Sequence, residues 1–286
     1  MLSIPIMKMH YNGKEIAILL ATYNGAWYLC QQIDSIYSQT EQGFTLYFHD
    51  DGSTDSSMEI IKQYVHKYNN IIIMEDLTKN RGAKGSFIWM LENVDSKYYM
   101  FCDQDDIWIP NKVEITLKAI KEAEHINTKI PIVVITDLIV VDQNLKIKHP
   151  SMWKESKINT KLLSQFKYLS VYNIATGCTM MINESAKQVV LPISQKVIMH
   201  DSWIAIKVVS SGGRLICINT PTVLYRQHTN NVVGMQKVDA SYFLRKLYLM
   251  RKVIADNKSQ IKMINEISKT SIFIYLWRKF LYYILR

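Results

Sequence analysis

Three short apolar runs, each ending in a polar or acidic cluster and each followed by a stretch with helical spacing, constrain this chain more than any other feature. Ile16–Ala21 ends at Thr22-Tyr23-Asn24-Gly25, Leu46–Phe48 at His49-Asp50-Asp51-Gly52, and Tyr98–Cys102 at Asp103-Gln104-Asp105-Asp106. After the first run, Trp27–Ser38 repeats apolar residues at Leu29, Ile33 and Ile36, as one face of a helix does. Ser56–Tyr68 follows the second. After the third, Pro110 can open a helix over Asn111–Glu124, because the first helical turn does not use the N–H that proline lacks. Between them, β-branched Ile71–Met74 precedes helix spacing over Lys84–Asn93. Strands alternating with helices of this length predict an α/β fold with a mostly parallel sheet, and such sheets bind ligands outside the carboxyl ends of their strands. The acidic clusters fall at those ends.

Beyond residue 130 the alternation loosens. Pro131–Ile135 and Asp137–Val141 read as strands, Lys146–Lys161 as a polar stretch, Lys161–Tyr172 as a helix and Cys178–Ile182 as a strand. A helix is predicted over Ser202–Val209, stopped by Gly212-Gly213, and then a strand pair over Arg214–Tyr225 around Thr220-Pro221. The 286 residues are 48% hydrophobic and 21% charged, which supplies a large core and excludes disordered and fibrous classes. Four widely spaced cysteines, without CxxC or a neighbouring histidine pattern, predict neither a disulfide framework nor a zinc site, and a reducing compartment.

The net charge of +9 is unevenly placed: residues 241–286 hold ten Lys/Arg against two acidic residues. The remainder is nearly neutral, so an anionic partner is expected at the tail alone, with nucleic acid disfavoured. No secretory signal is read at the N-terminus, since Lys14 and Glu15 precede the apolar run and a turn follows it. Ser271–Leu285 is interrupted by Arg278 and Lys279, so no run reaches the roughly 18 apolar residues of a spanning helix.

Carboxylates at i and i+2 leaving a strand end, as Asp103 and Asp105 do, suit a ribose hydroxyl and a divalent cation, Mg²⁺ or Mn²⁺, because both are served by oxygen ligands. A polar loop capping the next helix reads equally well. Asp50 and Asp51 can accept from a base N–H or a ribose, and equally from a tight Asp-Gly turn with Thr54 or Asp55 capping the following helix. Thr22-Tyr23-Asn24 can line a base pocket or simply form a polar turn. Arg81, before Gly82, is a cation for a phosphate or an ordinary surface charge. Asp201 stands where it can be the N-cap of the 202–209 helix.

In this order, ATYNG, HDDGSTD, NRG and FCDQDD resemble the strand-end motifs of the inverting family 2 glycosyltransferases, specifically over residues 16–110 and more loosely to about 235. The resemblance implies a GT-A fold, whose Rossmann-like sheet binds a nucleotide sugar with residues 16–110 and an acceptor with residues 111–235; by its own composition the chain beyond it, 236–286, is expected to be a basic, aromatic, helical tail. It implies nucleotide-sugar contacts from Thr22, Tyr23, Asn24, Asp50, Asp51, Arg81 and Asp103, and a metal on Asp105. The family's catalytic base is often second in a Glu-Asp pair at a helix start; here Met199-His200-Asp201-Ser202-Trp203 offers Asp201 as the base, with His200 in place of the Glu and Trp203 beside it as acceptor-side residues. Tyr225-Arg226-Gln227-His228 and Asn230-Asn231-Val232-Val233-Gly234 match the ending of rhamnosyltransferase-like members, which implies His228 as a metal or diphosphate ligand and Arg226 beside it. A dTDP-L-rhamnose donor is expected first, with a UDP-hexose or UDP-N-acetylhexosamine second, and a lipid-linked acceptor in bacterial surface polysaccharide synthesis.

The tail interleaves Tyr242, Phe243, Tyr248, Phe273, Tyr275, Trp277 and Phe280 with Lys and Arg, which suits an anchor on anionic lipid at the inner face of the plasma membrane. Packing on the catalytic body or on a second copy is the alternative. A non-catalytic membrane-surface module would account for the tail but not for the acidic clusters. A sugar nucleotidyltransferase would need a Gly-rich N-terminal phosphate loop, which the sequence lacks.

Overall fold

A computed structural model describes residues 11–12, 14–76, 80–127, 129–227 and 250–286. In chain order its strands are β1 (Tyr11–Asn12), β2 (Ile16–Thr22), β3 (Phe44–Asp50), β4 (Ile71–Ile73), β5 (Val94–Asp95), β6 (Tyr98–Cys102), β7 (Ile107–Trp108), β8 (Ile132–Asp142), β9 (Ile147–His149), β10 (Met181–Asn183) and β11 (Arg214–Gln227). The main sheet follows the order β4-β3-β2-β6-β10-β8-β11-β7, with β9 paired to β8; β1 and β5 form a separate parallel pair. Strands β4, β3, β2 and β6 are parallel to one another, β8 and β11 are parallel, and β10 runs antiparallel between the two groups.

Alternation along each central strand sends successive side chains to opposite faces. Ile16, Ile18 and Leu20 join Phe44, Leu46 and Phe48 and Met100 in one apolar layer, while Ala17 and Leu19 join Tyr47, Tyr99 and Phe101 in the other. Helices α1 (Ala26–Tyr37), α2 (Ser57–Lys67) and α4 (Lys112–Glu124) cover the first layer with Leu29, Ile33, Ile36, Ile61, Val113 and Ile120. On the second face α3 (Gly82–Asn93) is followed by the one-turn helices α5 (Met152–Glu155), α6 (Thr160–Leu163) and α7 (Phe166–Leu169), then α8 (Glu184–Val190) and α9 (His200–Ser210). With both faces covered, β2 and β6 are apolar along almost their whole length, and the polar clusters follow at the carboxyl ends of β2, β3 and β6.

Several expected boundaries change. Residues 132–142 form one strand, β8: Asp137 sits buried in it because its carboxylate accepts from Leu138 N at 2.8 Å, from Trp153 N at 3.1 Å and from the Ser151 hydroxyl. Residues 214–227 are likewise a single strand. Pro221 has no N–H for the ladder, and the pairing with β8 shifts register on either side of it, so the proline is absorbed as an irregularity without a turn. The expected helix over Lys161–Tyr172 breaks into α6 and α7, and Cys178 lies in a 3₁₀ turn, Gly177–Thr179, ahead of β10. Helix α9 starts at His200, which places Asp201 inside its first turn; the cap residue is Met199.

In the tail, α10 (Met250–Asn265) and α11 (Ile272–Leu285) form a hairpin, with Thr270 N bonded to Asn265 Oδ1 at 2.6 Å and the Ser271 hydroxyl capping Ile274 N at 3.3 Å. Tyr282 is fully buried against Tyr168 and Tyr172 of the α/β body, and Tyr275 against Val171 and Ile264. No described helix is long and apolar enough to cross a membrane. The rest of the expected tail, residues 236–249, lies outside the described residues.

Candidate active site

The carboxyl ends of β2, β3 and β6 open onto one cavity of about 930 Å³, closed on its other side by Gly82–Phe87, the β8–β9 turn, Thr176-Gly177 and the start of α9. Its β2 wall is stapled by a side chain in the acidic loop. The amide oxygen of Gln104 accepts from the Thr22 hydroxyl and, at 2.9 Å, from Tyr23 N, and its amide nitrogen donates to Tyr23 O at 3.2 Å. A Cβ on Gly25 would stand 2.2 Å from that amide oxygen, so only glycine fits beside the staple. Asn24 takes a left-handed φ of 49°, a conformation asparagine tolerates, and its Oδ1 accepts from Thr54 N at 2.8 Å. Tyr23 is half exposed on the cavity rim, and Trp27 is almost fully exposed there.

The two aspartates at the end of β3 part company. Asp50 closes its own turn: its carboxylate accepts from Gly52 N at 3.1 Å, Ser53 N at 2.9 Å and the Ser53 hydroxyl at 2.5 Å, and it does not line the cavity. Asp51 does line it, and receives Arg81 N at 2.6 Å and Gly82 N at 2.7 Å, two of the donors that the start of α3 leaves without helical partners. The Arg81 guanidinium turns away onto Asp76 and the face of Trp89. It is also not a cavity residue. Asp55 serves two helix starts, accepting from Ala26 N and Ser57 N at 3.0 Å each.

After β6, Asp103 and Asp105 line the cavity together with Asp201, and no Lys or Arg is among the lining residues that the structure describes. Burial, then the negative charge of Asp105 and Asp201, pushes the Asp103 carboxyl up to about 7. A divalent cation fits this donor set, because oxygen ligands suit Mg²⁺ or Mn²⁺ and its charge would relieve the repulsion. Asp106 and Cys178 also come within 4.8 Å of Asp103. Burial raises the pKa of both well above the ordinary value, and Asp106 Oδ1 accepts from Arg226 N at 3.0 Å.

Asp201 is held at the far wall. Its Oδ2 accepts from Gly177 N at 3.1 Å, and burial lifts its carboxyl to about 6 despite backbone hydrogen bonds that favour the charged form. His200 packs its ring against both Phe87 and Phe101, with centroids 4.5 and 5.0 Å away, and neither ring nitrogen has a hydrogen-bond partner among the described residues. Burial pushes its pKa down to about 3, so the imidazole beside Asp201 is neutral. Trp203, expected on the acceptor side, faces the core: its indole N–H donates to Val190 O at 3.0 Å and it does not line the cavity. Arg226 is buried behind the wall, donating to Asp105 O at 2.8 Å, Gln143 O at 2.7 Å and Gln31 Oε1 at 2.7 Å over the ring of Tyr28. His228 lies outside the described residues.

Gln104, Gly177 and the Gln143-Asn144 turn also belong to the cavity wall, without a sequence signal of their own to mark them. Gln104 reads as a spacer between aspartates, and Gly177 carries no local signal, because the contact that gives it meaning comes from a helix 24 positions away.

The family model described as "Glycosyl transferase family 2" matches residues 17–190. A protein of Shigella flexneri described as "dTDP-rhamnosyl transferase RfbG" is 27% identical over 226 residues, covering 75% of this chain and 73% of that one. The mannosyltransferase PcManGT from Pyrobaculum calidifontis, solved with GDP-Man and Mn²⁺, superposes with a TM-score of 0.60 at 13% identity, covering 95% of this chain and 70% of its own. Residues 1–349 of S. aureus TarS, in complex with UDP, give 0.56 at 19% identity over 74% of this chain, and the chain spans 60% of that TarS fragment.

Proposed function

The chain belongs to glycosyl transferase family 2 and has its GT-A fold, and we propose that it transfers a sugar from a nucleotide-sugar donor to a hydroxyl of a saccharide acceptor with inversion at the anomeric carbon. The observation that carries this reading is the placing of Asp103, Asp105 and Asp201 on one cavity, two carboxylates at a strand end facing a third at a helix start.

At the strand end, Asp103 and Asp105 are the residues to hold a divalent cation, and His228 is proposed as a further ligand to it or to the diphosphate. That cation, Mn²⁺ or Mg²⁺, would supply Lewis acidity against the negative charge that grows on the departing diphosphate. Thr22, Tyr23 and Asp51 line the same end of the cavity and would receive the base and ribose, with Gln104 fixing the Thr22-Tyr23 turn. At the far wall, Asp201 would accept the proton of the acceptor hydroxyl as that oxygen attacks from the side opposite the diphosphate. One displacement inverts the anomeric centre. A carboxyl lifted to about 6 is both ionised at neutral pH and a better proton acceptor than an ordinary aspartate. The neutral imidazole of His200 adds no competing charge beside it.

The preferred donor is dTDP-L-rhamnose, on the likeness to the Shigella dTDP-rhamnosyl transferase. UDP-hexoses and UDP-N-acetylhexosamines stand second, since fold neighbours bind UDP and UDP-GlcNAc. The acceptor is proposed to be a lipid-linked saccharide of a bacterial surface polysaccharide, met at the cytoplasmic face of the plasma membrane. The test is nucleoside-diphosphate release by the purified protein with dTDP-rhamnose, UDP-glucose, UDP-galactose and UDP-N-acetylglucosamine, each with Mn²⁺, Mg²⁺ or EDTA, with and without lipid-linked acceptor. Release from one donor that EDTA abolishes is expected. Silence on all four, with no thermal stabilisation by dTDP or UDP plus metal, would sink the transferase reading.

A further inference from the structure

The two sides of α11 differ sharply. Successive helical residues turn by about 100°, which puts Phe273, Trp277, Phe280 and Ile284 in one stripe about 60° wide and Tyr275 and Tyr282 on the opposite side. The stripe is open to solvent, at 81%, 59%, 54% and 61% exposure, while Tyr275 and Tyr282 are 2% and 0% exposed against the body. Leu276 and Leu285 widen the apolar surface. A contiguous exposed apolar surface with three large aromatics marks an interaction site, because leaving it in water forgoes its burial.

The charges say what covers it. Arg278 and Lys279 stand on either flank of the buried face, Arg286 follows the last turn, and α11 carries no acidic residue. Lys279 is half-buried with its ammonium on Asn257 Oδ1 at 2.9 Å, so the cation sits on the protein side of the helix axis. A helix with an aromatic apolar stripe outward and cations set back toward the body matches a bilayer interface, where the stripe enters the acyl boundary and the cations lie at headgroup depth. Two copies meeting stripe to stripe would bring two basic rims together.

We propose that the Phe273–Ile284 face of α11 is the surface by which this protein lies on an anionic lipid bilayer. The inference rests on the proposed function only for its purpose, delivery of a lipid-linked acceptor. The helix is seated on the acceptor side: the Tyr282 ring packs on Tyr172 at 4.8 Å, and Tyr172 lies just upstream of Gly177, whose N–H holds Asp201. The lipid-facing helix and the base therefore share one segment.

The test is sedimentation of the full-length protein with phosphatidylglycerol vesicles and with phosphatidylcholine vesicles, beside a variant carrying Phe273→Gln, Trp277→Gln, Phe280→Gln and Ile284→Gln. The wild type should bind phosphatidylglycerol at least about tenfold more tightly than phosphatidylcholine, and the variant should lose at least about tenfold, with its thermal melt and its vesicle-free nucleoside-diphosphate release unchanged. No wild-type binding to phosphatidylglycerol vesicles would overturn the proposal, as would equal binding by the variant. So would a wild-type dimer in solution that the variant splits, since the stripe would then belong to a second copy. Vesicle binding without release from any donor would support the lipid surface and count against the transferase reading alone.

Discussion

The backbone N–H of Gly177 donates to Oδ2 of Asp201 at 3.1 Å, and a Cβ on that glycine would stand 2.9 Å from Nε2 of His200. The 3₁₀ turn and the start of α9 are thus fitted to each other with no room for a methyl group. Gly177→Ala is expected to push His200 or the turn aside by a few tenths of an ångström and misplace Asp201. Transfer kcat should fall about ten- to hundredfold with the donor Kd little changed, since donor-end residues are untouched. A variant with wild-type kcat would remove Gly177 from the positioning of the base.

Asp201→Asn separates stability from activity. Its folded carboxyl is lifted to about 6 from an ordinary 3.8, so the native state holds the proton more tightly than the unfolded chain. Its favourable contribution is therefore present in acid and lost as pH rises through 6. At neutral pH the buried charge costs at most about 3 kcal/mol. The asparagine variant should melt higher at pH 7.5, converge on wild type near pH 4, bind donor normally, and lose transfer by about 10²–10⁴-fold. Wild-type transfer rates would withdraw Asp201 as the base.

The same carboxyl is expected to set the acid side of the pH profile. At saturating metal and donor, kcat should drop about tenfold per unit below pH 6 as Asp201 becomes protonated. His200 should add no limb near neutrality, because burial keeps it uncharged down to about pH 3. A limb near 4 instead of 6 would mean that Asp201 is not the titrating base.

Gly25→Ala addresses the opposite end of the cavity. The added Cβ would meet Gln104 Oε1 at 2.2 Å and Thr22 Oγ1 at 2.7 Å, breaking the staple between β2 and the acidic loop. Donor KM should rise about tenfold or more while the acid limb of the kcat profile stays in place. An unchanged donor KM would show that the Thr22-Tyr23 turn does not contact the nucleotide.

Arg226→Lys is not conservative here. The planar guanidinium reaches Asp105 O, Gln143 O and Gln31 Oε1 at once, and an ammonium cannot span all three. Leaving one or two of these buried oxygens unpaired should cost about 2–4 kcal/mol and lower Tm by several degrees, read by thermal melts with and without Mn²⁺. A Tm within a degree of wild type would show that water replaces the lost bonds.

Much of this architecture was legible in local chemistry. The apolar period of the strands and helices predicted the α/β sheet, and the acidic clusters at 50–51 and 103–106 marked the ends that open on the cavity. Boundaries failed where a polar residue had a distant partner. The sequence reads a break between Ile135 and Asp137 and a turn at Thr220-Pro221, yet the Ser151 and Trp153 contacts keep Asp137 inside β8 and register shifts keep Pro221 inside β11.

What the sequence by itself determined is which residue types stand at which strand ends, because hydrophobic period and turn chemistry are local. Which of those residues face the cavity was decided only by the tertiary structure. Asp50 and Asp51 are neighbours of the same chemistry, but one closes its own turn and the other caps the start of α3 from the cavity wall. Arg81 and Arg226 are equal as charges, yet one is held on Asp76 and the other is buried behind Asp105. The two sides of α11 share one aromatic composition, and only docking on residues 168–172 buries Tyr275 and Tyr282 and leaves Phe273, Trp277, Phe280 and Ile284 outward. The reason is physical: a side chain's role follows from the partners that its hydrogen bonds and apolar surface find, and those partners come from elements far away in the chain.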